Sequence, residues 1–174
     1  MTHIVSIRPA IRADISLICE LILDLAIYEE LGDSCVSTPD VIVEALFTDH
    51  PSAEVLIGEL DGNAVGFALF FHNYSTFLGK KGLYLEDLFV RPEFRGHGVG
   101  KMLLQGLAQI AVKRDCARME WSVLDWNAPS IAFYSSLGAA PMKGWSVFRM
   151  TGDAITRLAN EESKIEEGSE GVGT

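Results

Sequence analysis

The stretch "FVRPEFRGHGVGKMLL", Phe89 to Leu104, decides the fold. An apolar strand end, arginines, three glycines at alternate positions and an apolar helix start follow one another without a gap. Where a strand gives way to a helix, the first helical N–H groups have no intrahelical acceptor and point out of the turn with the positive end of the helix dipole. Such a place binds phosphate. Gly96, Gly98 and Gly100 carry no Cβ and let an anion approach the backbone, and Arg95 can add a charge-assisted contact. The same glycines also suit a helix start used only for tight packing. A Walker loop is excluded, because it needs G-K-[ST] after four intervening residues, and a dinucleotide fingerprint follows the first strand of its fold. This loop follows a strand in mid-chain, after a hairpin.

Elements alternate on either side of that loop, and no internal repeat is present. "HIVSIRP" reads as a short strand, and Asp14 then caps a helix that carries Ile15, Ile18, Ile22 and Leu25 on one face. A second helix opens at Thr38 with Pro39 in its first turn. "AEVLIGELDGNAVGFALFF" reads as two strands joined at Asp61-Gly62-Asn63, and "GLYLEDLFV" as a third long strand. The helix after Gly98 runs to about Arg114, "ARMEWSVL" is a further strand, and "NAPSIAFYSSLG" is a short helix stopped by Gly138. "GWSVFRM" closes the sheet and "GDAITRLA" adds a last helical turn. The fold class is α/β, a mixed central sheet flanked by helices in three layers.

Composition limits the function. At 174 residues and 48% hydrophobic, the chain fits one domain, taken as residues 1–160. Residues 161–174, "EESKIEEGSEGVGT", form an acidic tail expected to be disordered. The net charge is −10, of which the tail supplies −4, and the remaining −6 disfavours nucleic acid. Cys19, Cys35 and Cys116 are odd in number and irregularly spaced, with no zinc-binding pattern, which points to a reduced, cytoplasmic protein without a metal. No signal peptide is readable and no apolar run is long enough to span a membrane.

"RGHGVG" matches the R-x-x-G-x-G signature of the GNAT superfamily of acyl-CoA-dependent N-acetyltransferases. "LAIYEE", "LYLEDLFV", "LDWNAPSIAFY" and "GWSVFRM" resemble the spermidine/spermine (diamine) acetyltransferases and their thialysine-acetylating relatives, in order from about Ile7 to Leu158. The resemblance implies a GNAT-type fold with acetyl-CoA as co-substrate, held at its pyrophosphate by Arg95, Gly96, His97, Gly98, Val99, Gly100 and Lys101. It also implies cofactor contacts from Asn127, Ala128, Pro129 and Ser130, and backbone groups of Leu88, Phe89 and Val90 offered to the pantetheine arm. The acceptor amine would be lined by Tyr28, Glu29, Glu86, Asp87, Glu120, Trp121 and Ser122, in a homodimer with sites near the subunit interface. Its implied acceptor is a small diamine or polyamine. The alternatives are thialysine or another lysine analogue, a protein lysine, or a non-catalytic acyl-CoA-binding module.

Elementary chemistry agrees. An amine of pKa ~10.4 is about 99.9% protonated at pH 7, so exposing its lone pair costs roughly 4–5 kcal/mol and a base must sit near it. "YLEDLFV" puts Glu86 and Asp87 side by side in an apolar strand, where neighbours face opposite sides, so one carboxylate falls where burial is costly. Glu86 is the expected proton acceptor, direct or through a water, and Asp87 a substrate-orienting or structural acid. A departing thiolate takes a proton readily from a phenol, and Tyr134 fits that role on the face next to Phe133. A tyrosine bonded to a carbonyl in the core, and Asn127 as a simple helix cap, remain open. Trp145 can add an aromatic wall. The polyamine enzymes carry two acids before Gly-Trp, whereas this chain reads "PMKGW" with Lys143, which leans toward an acceptor that bears its own carboxylate.

Overall fold

A computed structural model describes residues 3–161, in two compact units, one up to Leu124 and one from Asp125. The first unit is a five-stranded sheet. Its strands are β1 (Val5–Pro9), β2 (Glu54–Leu60), β3 (Asn63–Ser75), β4 (Lys80–Val90) and β5 (Arg118–Glu120), side by side in that order. The first four pair antiparallel, and β5 joins β4 in parallel, so the sheet is mixed as expected. Helices α1 (Ile15–Tyr28) and α2 (Pro39–Leu46) precede β2, and α3 (Val99–Lys113) makes the crossover from β4 to β5.

The β2–β3 turn is where the sequence places it. Leu60 pairs with Asn63, and Asp61 and Gly62 between them have φ of 51° and 79°. Positive φ at both positions gives the two-residue turn whose twist matches that of the strands.

Strand alternation sorts the side chains onto two faces. Val55, Ile57, Phe67 and Phe89 form one core with Ile18, Leu21 and Leu25 of α1 and Ile42 and Leu46 of α2. Each such side chain contributes about 1.5–3 kcal/mol over its exposed state. On the opposite face α3 lies so close that a Cβ at Gly106 would stand 2.3 Å from the Ile7 side chain. Helices thus cover both faces, in the three layers expected.

Four features differ from the sequence reading or fall outside it. Asp14 stands at the head of α1 but does not cap it; its carboxylate accepts from Arg8 at 2.7 and 2.9 Å and from the Ile11 N–H at 2.8 Å. The arginine, with Glu59 at 2.7 Å on its other side, outcompetes the helix N–H groups and holds Asp14 below the usual carboxylate range. "ARMEWSVL" is strand only over Arg118–Glu120, because β4 is paired with it no further than Tyr84. "GWSVFRM" is not a strand: the described part of its unit holds only α4 (Ala128–Ser136) and α5 (Asp153–Ala159), so no strand edge there is available to it. The acidic tail, beyond Glu161, lies outside the described residues.

Candidate active site

The site is built around β4. Parallel pairing with β5 covers only Gly82, Leu83 and Tyr84, after which, among the described residues, no strand pairs with that edge. From Leu85 to Val90 the strand therefore presents backbone N–H and C=O groups that its other neighbour, β3, does not use. A β-bulge falls in the same stretch: Phe70 pairs with Leu85 and Leu69 with Asp87, which leaves Glu86 without a cross-strand partner. The extra residue reverses the alternation that a regular strand would have. Asp87 then shares a face with Leu69, Phe67 and Phe89, and Glu86 is turned out to solvent.

Apart from Glu86, that face carries acceptor-side candidates of the first unit. Burial, then the charges of Glu86 and Glu29, push the half-buried Asp87 carboxyl up to about 6. Burial also raises Glu29, which follows the last turn of α1. Tyr28, one residue earlier, packs against Phe89 with ring centres 6.2 Å apart. Further along the face Glu120 is already partnered, by Arg118 at 2.8 Å and Asn73 at 3.0 Å, while Ser122 lies 3.2 Å from the Tyr84 hydroxyl. Trp121, between them, is half-buried. Asn73 and Tyr84 are members of this polar row that the sequence reading missed. The bulge puts Tyr84 on the face of Asp87, three residues on, so strand alternation gave no signal for it.

The glycine loop lies between the end of β4 and α3. Gly96 and Gly98 have φ of 82° and 91°, a left-handed backbone that residues with a Cβ rarely adopt. No side chain caps α3, so its first N–H groups have no acceptor from that source, and a Cβ on Gly98 would meet nothing within 4 Å. The donors thus border open space, which is the arrangement an anion requires. Val99 is buried beside Gly58 and offers only its backbone; Lys101 is exposed. His97 faces the Phe94 carbonyl at 3.3 Å and meets the ring of His3 edge-on at 4.7 Å. Arg95 is directed away from the loop: its Nε donates to the Val90 carbonyl at 2.8 Å and its guanidinium stacks 4.3 Å from the Tyr28 ring centre.

In the second unit the Asn127 side chain accepts from the Ser130 N–H at 3.2 Å and so caps α4, whose first turn holds Ala128, Pro129 and Ser130. Asn127 is buried. Tyr134 and Phe133 are both half-buried, with ring centres 5.5 Å apart. Lys143 is exposed, as is Trp145.

Comparison with known proteins agrees with this geometry. The acetyltransferase (GNAT) family matches residues 24–139. The chain is 34% identical to thialysine N-epsilon-acetyltransferase of Bos taurus, over 90% of this chain and 98% of that one. It is 32% identical to an L-ornithine N5-acetyltransferase of Arabidopsis thaliana, over 87% and 86%. An integron cassette protein of V. cholerae superposes with a TM-score of 0.76 at 25% identity, over 92% of this chain and 99% of that one.

Proposed function

Because this chain belongs to the acetyltransferase (GNAT) family and so takes its acetyl group from acetyl-CoA, we propose that it acetylates the terminal primary amine of a small amino acid of the lysine–ornithine type. The observation that carries amine acetylation is the group of carboxylates at the α1–β4 junction, Glu29, Glu86 and Asp87, beside a strand edge unpaired among the described residues and an anion cradle; the choice of acceptor rests on the relatives. The names of the two relatives support the acceptor class, as does the sequence "PMKGW", where Lys143 stands in place of an acid of the polyamine enzymes.

Acetyl-CoA supplies the acetyl group as a thioester. Around it the backbone of Gly96 to Lys101 would bind the pyrophosphate, the free edge of Leu88, Phe89 and Val90 the pantetheine arm, and Asn127 to Ser130 a further part of the cofactor. Tyr28, Glu29 and Asp87 orient the amine, together with the row of Glu120, Trp121 and Ser122. Glu86, exposed on its bulge and reachable by water, takes the amine proton, and Tyr134 returns a proton to the departing sulfur. An ammonium acceptor gives up two protons on becoming an amide: one passes through Glu86 to solvent, the other is lost as the tetrahedral adduct collapses and balances the one that Tyr134 gives to sulfur, so each turnover releases one proton.

A diamine or polyamine acceptor is the second reading. It is favoured by the negative charge of the same three carboxylates, which would attract a second ammonium. The resemblance to the diamine acetyltransferases further supports a homodimer, and three free cysteines support a cytoplasmic setting. Among the described residues no helix is long and apolar enough to cross a membrane. The decisive experiment is thiol release from acetyl-CoA across thialysine, ornithine, lysine, putrescine, spermidine and a lysine peptide. Thialysine or ornithine should give the highest kcat/KM. A clear preference for spermidine selects the second reading, and no amine-dependent release removes both.

A further inference from the structure

Two arginines four residues apart, on either side of the turn Pro92–Phe94, reach the same face of α1. Arg91 pairs with Asp24 at 2.7 Å and with Glu20 at 3.7 Å, and Arg95 stacks on Tyr28. Glu20, Asp24 and Tyr28 stand one turn apart along the helix, so the connection that leads into the anion cradle is fastened to one stripe of α1. The stripe ends at the residue before Glu29.

Arg95 is held there by two interactions of different kinds. Its Nε–H is committed to the Val90 carbonyl, and the guanidinium carbon lies over the Tyr28 ring with the Phe89 ring centre 5.8 Å away. A flat, weakly hydrated cation is suited to such a stack, whereas an ammonium lacks the plane. The space over Gly98 contains no atom of Arg95 within 4 Å of the Cβ position. Where the signature arginine would be expected to face phosphate, it faces an aromatic ring.

We propose that Arg95 is a positioning residue for the acceptor amine, which fixes Tyr28 and the end of α1, and that the cofactor's phosphates are held by the loop backbone without it. This rests on the acceptor site proposed above. Binding of either substrate is then linked through the same connection, since the loop that cradles one ligand holds the helix end that lines the other.

Arg95→Gln and Arg95→Lys separate the two roles when three quantities are measured. These are coenzyme A affinity by calorimetry, hydrogen exchange of residues 24–34 in the enzyme loaded with coenzyme A, and steady-state kinetics with thialysine and ornithine. Arg95→Gln should leave coenzyme A affinity within about twofold, speed exchange at 24–34 about fivefold, and raise acceptor KM about fivefold with kcat little changed. Arg95→Lys should recover part of each change. Tyr28→Leu should give the same acceptor phenotype, and adding Arg95→Gln to it should do nothing more. A tenfold loss of coenzyme A affinity with unchanged exchange at 24–34 would make Arg95 a phosphate ligand and overturn the proposal. Additive effects of the two substitutions would overturn it as well. If the wild-type enzyme acetylates neither amine, the acceptor reading fails, and the affinity and exchange measurements still decide the place of Arg95.

Discussion

Asp87 shows how a single residue can be costly to the fold and useful to the site. Its carboxyl is raised to about 6, so ionising it in the folded protein is harder than in the unfolded chain, where its value is near 4. The folded state therefore loses stability as pH climbs from about 4 through 6. Asp87→Asn removes that loss, so the variant should melt above wild type at pH 7.5, and the gap should close near pH 4; a wild-type advantage at pH 7.5 would contradict the burial argument. On the acceptor site proposed above, a positive amine beside Asp87 would relieve the same cost and turn burial into affinity. For Glu86→Gln, turnover should fall most at neutral pH and recover in part at alkaline pH, where the amine sheds its proton unaided. Tyr134→Phe should lower kcat by about 10²-fold with little change in cofactor affinity, and should not recover at high pH. A matching alkaline recovery in both variants would mean that the two side chains do not have opposite proton roles.

At the scale of elements, the turn between β4 and α3 was legible as a strand-to-helix junction with a special backbone, although the direction of Arg95, which lies over Tyr28, was not. Gly96 and Gly98 are both left-handed there, which accounts for the glycines at these two positions. Gly98→Val should abolish coenzyme A binding, since a branched residue resists φ of 91° and its side chain would enter the space the phosphates need. Unchanged calorimetric affinity in that variant would show the loop to be packing alone. The hairpin at Asp61-Gly62 and the Thr38 cap, which accepts from Val41 at 3.4 Å, were legible for similar local reasons. The bulge at Glu86 was not, because it depends on how β3 and β4 pair and not on either strand's composition. Without it, Asp87 and Leu85 would lie on one face, and the acid and the core would compete for it. The fate of Asp14 was hidden for the same reason: its partner Arg8 comes from β1, and a cap signal counts only neighbours in the chain. The strand reading of "GWSVFRM" rested on residue type alone, and alternation without an available edge makes no strand.

Over the whole molecule, sequence and structure agree on an α/β sheet with helices on both faces. Apolar residues such as Trp145 and Phe148, 74% and 94% exposed, belong to the second unit. Surface of that kind is seldom left to water. Light scattering at micromolar concentration should give twice the chain mass, and a monomer mass would count against the pair. The free edge of β4 has a cost of its own. Open strand edges rich in apolar residues recruit other chains, and "LYLEDLFV" would do so readily were it not for the two acids at its centre. Those acids would act as gatekeepers against self-association in addition to the roles proposed for them above. Coenzyme A filling the edge should suppress aggregation on heating or refolding, whereas the double variant Glu86→Gln, Asp87→Asn, without coenzyme A, should precipitate faster than wild type although it carries less net charge to bury. Catalysis and solubility would then depend on the same two side chains, and variants selected for one would be filtered by the other.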